Sequence, residues 1–113
     1  MSGITTHVLD TSQGKPAAGL GVTLDRASAG EWQRVGSGKT AADGRAANLA
    51  PAGAALAAGT YRLVFDTGAY FQALGVAGFY PHVVIVFEVR DPAEHHHVPL
   101  LLSPYGYSTY RGS

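Results

Sequence analysis

The feature of this sequence that most constrains its fold is a series of short runs rich in β-branched and aromatic residues, separated by breaks that contain glycine, proline or aspartate. This pattern is typical of all-β proteins, because strands need such side chains and tight turns need such breaks. Eight segments fit the pattern, namely 4–9, 21–26, 32–39, 44–49, 60–66, 82–90, 96–103 and 107–111. Eight strands at this spacing predict a sandwich of two sheets.

The breaks between these segments carry recognisable turn and helix signals. Gly14 and Pro16 predict a turn after the first strand, and Asp43-Gly44 predicts a tight hairpin turn that needs a positive φ angle. Residues 69–74 have helical composition and predict one short helix. The alanine-rich stretch 50–58 contains proline and glycine, so we interpret it as a loop with room for a helical turn over 54–58.

The late strand is apolar on both of its faces. Successive side chains of a strand point to opposite sides, which places Val98, Leu100 and Leu102 on one face and His95, His97, Pro99 and Leu101 on the other. The first strand behaves similarly, with His7 and Leu9 on the face opposite to Val8. A strand of this kind is buried on both sides, and in a small chain a second subunit most readily supplies the further layer.

Length and composition narrow the classes of function. A chain of 113 residues forms one domain, 1–113, with a small core. Zero net charge, 14% charged residues and no basic stripe argue against nucleic-acid or anionic-membrane partners. The absence of cysteine excludes disulfides and thiol catalysis. With no signal-peptide pattern at the start and no membrane-length apolar run, we expect a cytoplasmic protein.

Histidines are the most conspicuous candidates for chemistry. A lone histidine such as His7 in THVLD is more often a surface or core residue than a functional one. In the run His95 to His97, only the first and last share a strand face, and Glu94 is the single nearby carboxylate. Zinc sites usually use more ligands than this, so we expect no physiological metal and no cofactor. Arg45, just past the Asp-Gly turn, is by itself most simply a solvated hairpin charge.

The C-terminal segment is rich in tyrosine. Tyr105, Tyr107 and Tyr110 carry rings that are costly to leave loose in water, which predicts a docked terminus rather than a frayed one. The sequence has no glycine-rich phosphate loop, no paired catalytic carboxylates and no Gly-x-Ser-x-Gly elbow. These absences leave His7, Arg45 and the histidine cluster as the candidate chemical groups.

Several segments resemble those of the 5-hydroxyisourate hydrolases, the transthyretin-related enzyme family. They cover nearly the whole chain in order and are THVLDTSQGKPAAG, TAADGR, YRLVFDTGAYF, FYPHVVIVFEV and HVPLLLSPYGYSTYRGS. The ending Tyr110-Arg111-Gly112-Ser113 is the most specific, because it is the signature that separates this family from transthyretin. One departure is His96, where the family commonly has tyrosine. Strand alternation turns His96 away from His97, so we expect the change to be tolerated.

The resemblance implies a fold, an activity and a set of site residues. The fold is an eight-stranded sandwich of transthyretin type with one short helix, assembled as a homotetramer, a dimer of dimers. The activity is hydrolysis of a lactam bond of 5-hydroxyisourate in urate degradation, giving 2-oxo-4-hydroxy-4-carboxy-5-ureidoimidazoline. Matching motif to motif, the catalytic residues are His7, Arg45, His97 and Ser113, and the substrate-binding residues are Tyr110, Arg111 and Gly112.

Lactam hydrolysis needs an activated water, a stabilised oxyanion and a proton for the departing nitrogen. One of His7 and His97 acts as general base in this hypothesis, while the other orients or protonates, and Arg45 anchors the substrate. Two alternatives stay open. One is a transthyretin-like carrier of a small aromatic ligand, and the other is a structural sandwich module without catalysis.

Overall fold

The computed structural model of the protein describes residues 3–50 and 56–112. Within these ranges the chain forms nine strands and one helix: β1 Gly3–Asp10, β2 Lys15–Pro16, β3 Gly21–Ser28, β4 Glu31–Lys39, β5 Arg45–Ala46, β6 Gly59–Phe65, α1 Thr67–Ala73, β7 Val83–Val89, β8 His95–Ser103 and β9 Gly106–Thr109. Across the same ranges, no helix combines the length and apolar character that a membrane crossing requires.

The strands form two sheets. The first sheet has the order β2-β1-β8-β9, with β5 also paired to β1, and the second has the order β4-β3-β6-β7. In the first sheet β1 and β8 run parallel, from Gly3 opposite His95 to Asp10 opposite Leu102, whereas the other pairs are antiparallel. The prediction of a two-sheet sandwich with one short helix is therefore confirmed.

Three local differences from the sequence prediction have physical causes. The strand predicted over 44–49 shortens to Arg45–Ala46, because Asn48 adopts a left-handed φ of 57° and turns the chain away. A further two-residue strand, β2, follows the predicted turn at Gly14 and pairs with the end of β1. The helix begins at Thr67, two residues early, because the Asp66 side chain accepts a hydrogen bond from a backbone N–H of its first turn. Of the helical turn expected over 54–58, residues 56–58 form no helix, and residues 54 and 55 lie outside the described residues.

The core lies between the two sheets. Its largest fully buried side chains are Tyr61, Phe65, Leu20, Leu24, Leu49, Leu63, Leu100, Leu102, Val8, Val22, Val83 and Val89. The predicted alternation of β8 is confirmed on this side, because His96, Val98, Leu100 and Leu102 are all buried. On the outer face of the first sheet, Leu9 and Leu101 are half-buried in the single chain.

A polar network ties β1 to α1 through the core. The carboxylate of Asp10 accepts hydrogen bonds from the Ser12 hydroxyl at 2.6 Å, the Gln13 side chain at 2.8 Å and the Tyr70 hydroxyl at 2.8 Å. Burial alone would raise the pKa of Asp10, but these hydrogen bonds together lower it below 3.8. Burial, followed by the contact with Asp10, raises the pKa of Tyr70 to about 12.

Candidate active site

Three of the candidate side chains predicted from the sequence lie together on the outer face of the first sheet. His7 lies opposite Arg45 in the antiparallel pair of β1 and β5. Thr5 lies opposite His97 in the parallel pair of β1 and β8. Since paired residues project on the same side and residues two apart on a strand share a face, all four side chains stand on one face. The candidates His7, Arg45 and His97, distant in the sequence, are thus brought together.

The turn before β5 positions Arg45. Gly44 has a φ of 80°, and a β-carbon there would collide with the Val8 carbonyl oxygen and lie 2.9 Å from a Pro16 side-chain atom. Only glycine fits this close approach to β1. The Asp43 carboxylate accepts a hydrogen bond from the Arg45 backbone N–H at 3.0 Å, which closes the turn. The predicted Asp-Gly turn therefore holds Arg45 close to β1.

The same turn orients His7. The His7 Nε2 atom lies 2.8 Å from the Asp43 carbonyl oxygen. A carbonyl oxygen only accepts, so Nε2 carries a proton and donates it to this bond, while Nδ1 is left for other partners. The Arg45 Nε atom lies 3.8 Å from the Asp43 carboxylate, and the Arg45 side chain is 58% exposed. So weak and exposed a pair leaves the guanidinium able to bind a ligand.

His97 is held through its other ring nitrogen. Its Nδ1 atom lies 2.8 Å from the Thr5 hydroxyl oxygen, and the same hydroxyl lies 2.8 Å from Nε2 of His95. The two imidazoles stack with centroids 6.5 Å apart and planes 20° apart. Because Nδ1 of His97 is engaged by Thr5, Nε2 is the nitrogen left for chemistry.

The surroundings of His97 favour its neutral form. Partial burial, followed by the positive charges of Arg45, His95 and His7, lowers the pKa of His97 below 6.5. At neutral pH the ring is therefore uncharged and Nε2 can carry a lone pair. An arginine beside a neutral histidine provides an anion-stabilising group next to a base.

Two cavities meet at His97. One, of about 340 Å³, is lined by Thr5, Thr6, Arg45, Ala46, His95 and His97 among others. The other, of about 240 Å³, lies between β7 and β8, and its lining includes His97, Tyr110 and Arg111. Arg45 and the C-terminal residues therefore approach His97 from different cavities rather than from one cleft.

The C-terminal segment docks against β8 at Gly112. The Gly112 N–H donates a 2.8 Å hydrogen bond to the His97 carbonyl oxygen. Arg111 forms an exposed ion pair with Glu94 at 3.4 Å, and Tyr110 is 58% exposed. Docking of the terminus is thus confirmed at Gly112, while Ser113 lies outside the described residues.

The structure adds two residues to the site that the sequence did not predict there, Thr5 and Asp43. Thr5 precedes His7 by two positions, so strand alternation was a signal that it shares the same face. The sequence predicts only a turn role for Asp43. His96 faces the core as predicted, is 5% exposed, and has no partner for Nδ1 among the described residues. In that part of the chain, no three His, Cys, Asp or Glu residues are grouped to hold a metal ion.

Comparisons with known proteins agree on one family. The model described as HIUase/Transthyretin family matches residues 4–112. The 5-hydroxyisourate hydrolase of Caulobacter vibrioides is 51% identical over 117 residues, with 100% of both chains covered. The solved 5-hydroxyisourate hydrolase of Klebsiella pneumoniae has a TM-score of 0.87 and 39% identity, again covering 100% of both chains. Sea bream transthyretin, solved in complex with thyroxine, has a TM-score of 0.88 and 32% identity, covering 96% of this chain and 93% of that one.

Proposed function

Because this chain belongs to the HIUase/Transthyretin family, we propose that it hydrolyses 5-hydroxyisourate by opening a lactam bond of the six-membered ring. The product is 2-oxo-4-hydroxy-4-carboxy-5-ureidoimidazoline. The full-length similarity to named 5-hydroxyisourate hydrolases supports the substrate. The observation that carries the proposal is the convergence of His7, Arg45 and His97 on one face of the first sheet, beside a cavity of about 340 Å³.

His97 is the general base in this proposal. Its lowered pKa keeps the ring neutral at neutral pH, and its engaged Nδ1 leaves Nε2 to accept a proton from water. The resulting hydroxide adds to the lactam carbonyl carbon, and the C–N bond then breaks. The departing nitrogen needs a proton at that step.

His7 and Arg45 take the complementary roles. The Asp43 carbonyl fixes the His7 ring through Nε2–H and leaves Nδ1 to accept a hydrogen bond, so we assign His7 to orient the substrate. The departing nitrogen then takes from His97 Nε2 the proton that His97 received from water. The Arg45 guanidinium offers a planar fork of donors to a carbonyl-rich ring and offsets the charge of the oxyanion. By the family motif, Tyr110, Arg111, Gly112 and Ser113 contact the substrate from the C-terminal side.

The activity is tested directly by generating 5-hydroxyisourate with urate oxidase and following its decay spectroscopically with and without the protein. We expect acceleration by the wild type and a loss of about 100-fold or more in His97→Asn. Arg45→Ala should lose activity similarly, whereas the matched control Arg90→Ala, at an 89% exposed side chain, should not. Unaccelerated decay with the wild type would refute the hydrolase.

We also propose that the working form is a homotetramer, a dimer of dimers. Leu9 and Leu101 stand half-buried on the same outer face as His7 and His97, and a further apolar layer would cover them. Sedimentation equilibrium should give four times the mass of one chain, 11.7 kDa. A stable monomer with full activity would contradict this assembly.

A carrier of small aromatic ligands is the second candidate, favoured by the likeness to a transthyretin solved with thyroxine. A carrier has no need of two histidines and an arginine around a polar cavity, whereas a hydrolase does. Saturable binding of an aromatic ligand without turnover of 5-hydroxyisourate would favour the carrier.

A further inference from the structure

One hydroxyl group joins two histidines on the active face. The Thr5 oxygen lies 2.8 Å from Nδ1 of His97 and 2.8 Å from Nε2 of His95. The parallel register of β1 and β8 produces this contact, because Thr5 lies opposite His97 while His95 is opposite Gly3. Thr5 and His97 are half-buried, whereas His95 is exposed to solvent.

A threonine hydroxyl has one proton, so it donates to one ring nitrogen and accepts from the other. In the first arrangement His97 Nδ1–H donates to Thr5, Thr5 donates to His95 Nε2, and His97 Nε2 holds a lone pair. In the second arrangement Thr5 donates to His97 Nδ1, His95 Nε2–H donates to Thr5, and His97 Nε2 carries a proton. The first form of His97 is a base and the second is an acid.

We propose that Thr5 is a positioning residue that sets the tautomer of His97 and, together with His95, connects its proton to solvent. The catalytic consequence of this inference rests on the proposed function, but the hydrogen-bonded chain itself does not. The same inference assigns the exposed His95 a role that differs from metal binding.

The protons balance along this chain. Water gives a proton to His97 Nε2 as its oxygen adds to the carbonyl carbon. The Nδ1 proton of His97 passes to the Thr5 oxygen as the Thr5 proton passes to His95 Nε2, and His95 releases its Nδ1 proton to solvent. The hydrogen bonds between His97, Thr5 and His95 have then changed from the first arrangement to the second. As His97 Nε2–H passes to the departing nitrogen, the reverse shift, with His95 taking a proton from solvent, restores the base form of His97.

The charges around these hydrogen-bonded groups favour transfer of a proton away from His97. Arg45 and His7 face it from β5 and β1, and the Asp43 carboxylate lies 3.8 Å from Arg45 on the solvent side. Glu94, ion-paired with Arg111, immediately precedes His95 in the chain. A proton on His97 is therefore beside the cationic Arg45 side chain, whereas a proton on His95 is exposed to water.

The first test compares Thr5→Val with Thr5→Ser. Valine keeps the shape but removes the hydroxyl, so we expect kcat to fall about 10- to 100-fold, as loss of a group that orients a functional histidine typically does, with KM little changed. Serine should restore most of kcat. Thr23→Val, at a half-buried threonine of β3 in the second sheet, is the matched control and should stay at the wild-type rate.

The second test addresses the proton path through His95. His95→Phe keeps an aromatic ring beside His97 but removes the acceptor, so kcat should fall and added imidazole buffer should restore part of it. The dependence of kcat on the deuterium fraction of the solvent should be curved in the wild type and straighter in Thr5→Val. A His95→Phe variant with wild-type kcat and pH profile would overturn the relay.

The third test needs no turnover. The ring ¹⁵N shifts of His97 report its tautomer, and we expect the Thr5→Val ring to differ in tautomer from those of the wild type and Thr23→Val. Identical His97 shifts in all three would overturn the positioning role. If instead the wild type fails to act on 5-hydroxyisourate while Thr5→Val changes the tautomer, the proposed substrate fails and the Thr5 inference stands.

Discussion

Gly112 lies directly against the imidazole ring of His97. A β-carbon added at Gly112 would come within 2.5 Å of His97 Cδ2, the ring carbon next to Nε2. The same glycine donates its N–H to the His97 carbonyl oxygen at 2.8 Å. The terminal segment therefore touches the candidate base at both its backbone and its ring, and only glycine permits that approach.

Replacing Gly112 with alanine should consequently displace either the His97 ring or the terminus. We expect at least a tenfold fall in kcat/KM, since small misplacements of a catalytic group are costly, with little change in melting temperature. Gly106→Ala is the control, because a β-carbon there meets only an ordinary 3.7 Å contact with the Ser103 hydroxyl. Equal activity of the two variants would show that His97 tolerates the crowding.

The pH dependence should reflect the lowered pKa of His97. Burial, then the charges of Arg45, His95 and His7, hold this pKa below 6.5, so the neutral base persists to lower pH than an ordinary histidine would. Activity should fall only as pH drops through that lowered pKa. Arg45→Gln removes one positive charge, so the pKa of His97 should rise and the acidic limb of kcat/KM should move to higher pH.

NMR titration of the His97 ring proton measures this shift independently of turnover. Arg90→Gln, at an 89% exposed arginine just after β7, serves as the control and should leave the titration unchanged. If Arg45→Gln also left the titration unchanged, the proximity of the guanidinium to His97 would be wrong.

Acid stability should depend on the contact between Asp10 and Tyr70. Tyr70→Phe removes one hydrogen bond to a buried carboxylate, which should lower the free energy of unfolding at neutral pH by about 1.5–3 kcal/mol. Because the folded pKa of Asp10 is lowered, its stabilisation is complete above 3.8 and is lost as pH falls through the folded value. The difference in free energy of unfolding between the wild type and Tyr70→Phe should therefore become smaller in that acidic range.

Urea denaturation across pH measures the effect, with Tyr105→Phe as the control at an exposed tyrosine. A Tyr70→Phe curve parallel to the wild type down to the lowest pH would argue against the linkage to Asp10.

Deletion of residues 110–113 should abolish activity while leaving the sandwich folded. The deletion removes the Gly112 contact with His97 and part of the lining of the 240 Å³ cavity. Among the described residues it removes, 110–112, none belongs to the buried core. Turnover of 5-hydroxyisourate and the melting temperature are the measurements. Glu94→Gln, which breaks only the exposed pair with Arg111, should change stability by less than about 1 kcal/mol. Full activity of the truncated protein would show that residues 110–113 do not contribute to the site.

Local patterns were sufficient to predict the elements, though not all of their limits. The alternation along β8 correctly placed His96 and Val98 toward the core, because side-chain direction in a strand depends only on position. The helix was predicted too late, since the Asp66 cap contributes more than composition does. The strand predicted over 44–49 was too long, because no apolar pattern reports the left-handed turn at Asn48.

Only part of the candidate site could be predicted from the sequence. The resemblance in motifs named His7, Arg45 and His97, but spacing alone offered no reason to bring them together. Thr5 was missed, and the division of the lining between two cavities was not foreseen. Both depend on distances between strands that are far apart in the chain.

By itself, the sequence determined which residues face inward, where the turns fall and which family the chain resembles, because these follow from short-range spacing and motif. Only the tertiary structure decided that β1 lies parallel to β8 with Thr5 opposite His97, and that β5 returns to place Arg45 opposite His7. The physical reason is that strand register is set by pairing and packing over long sequence separations. A shift of one residue would turn the candidate site side chains to the other face of the sheet.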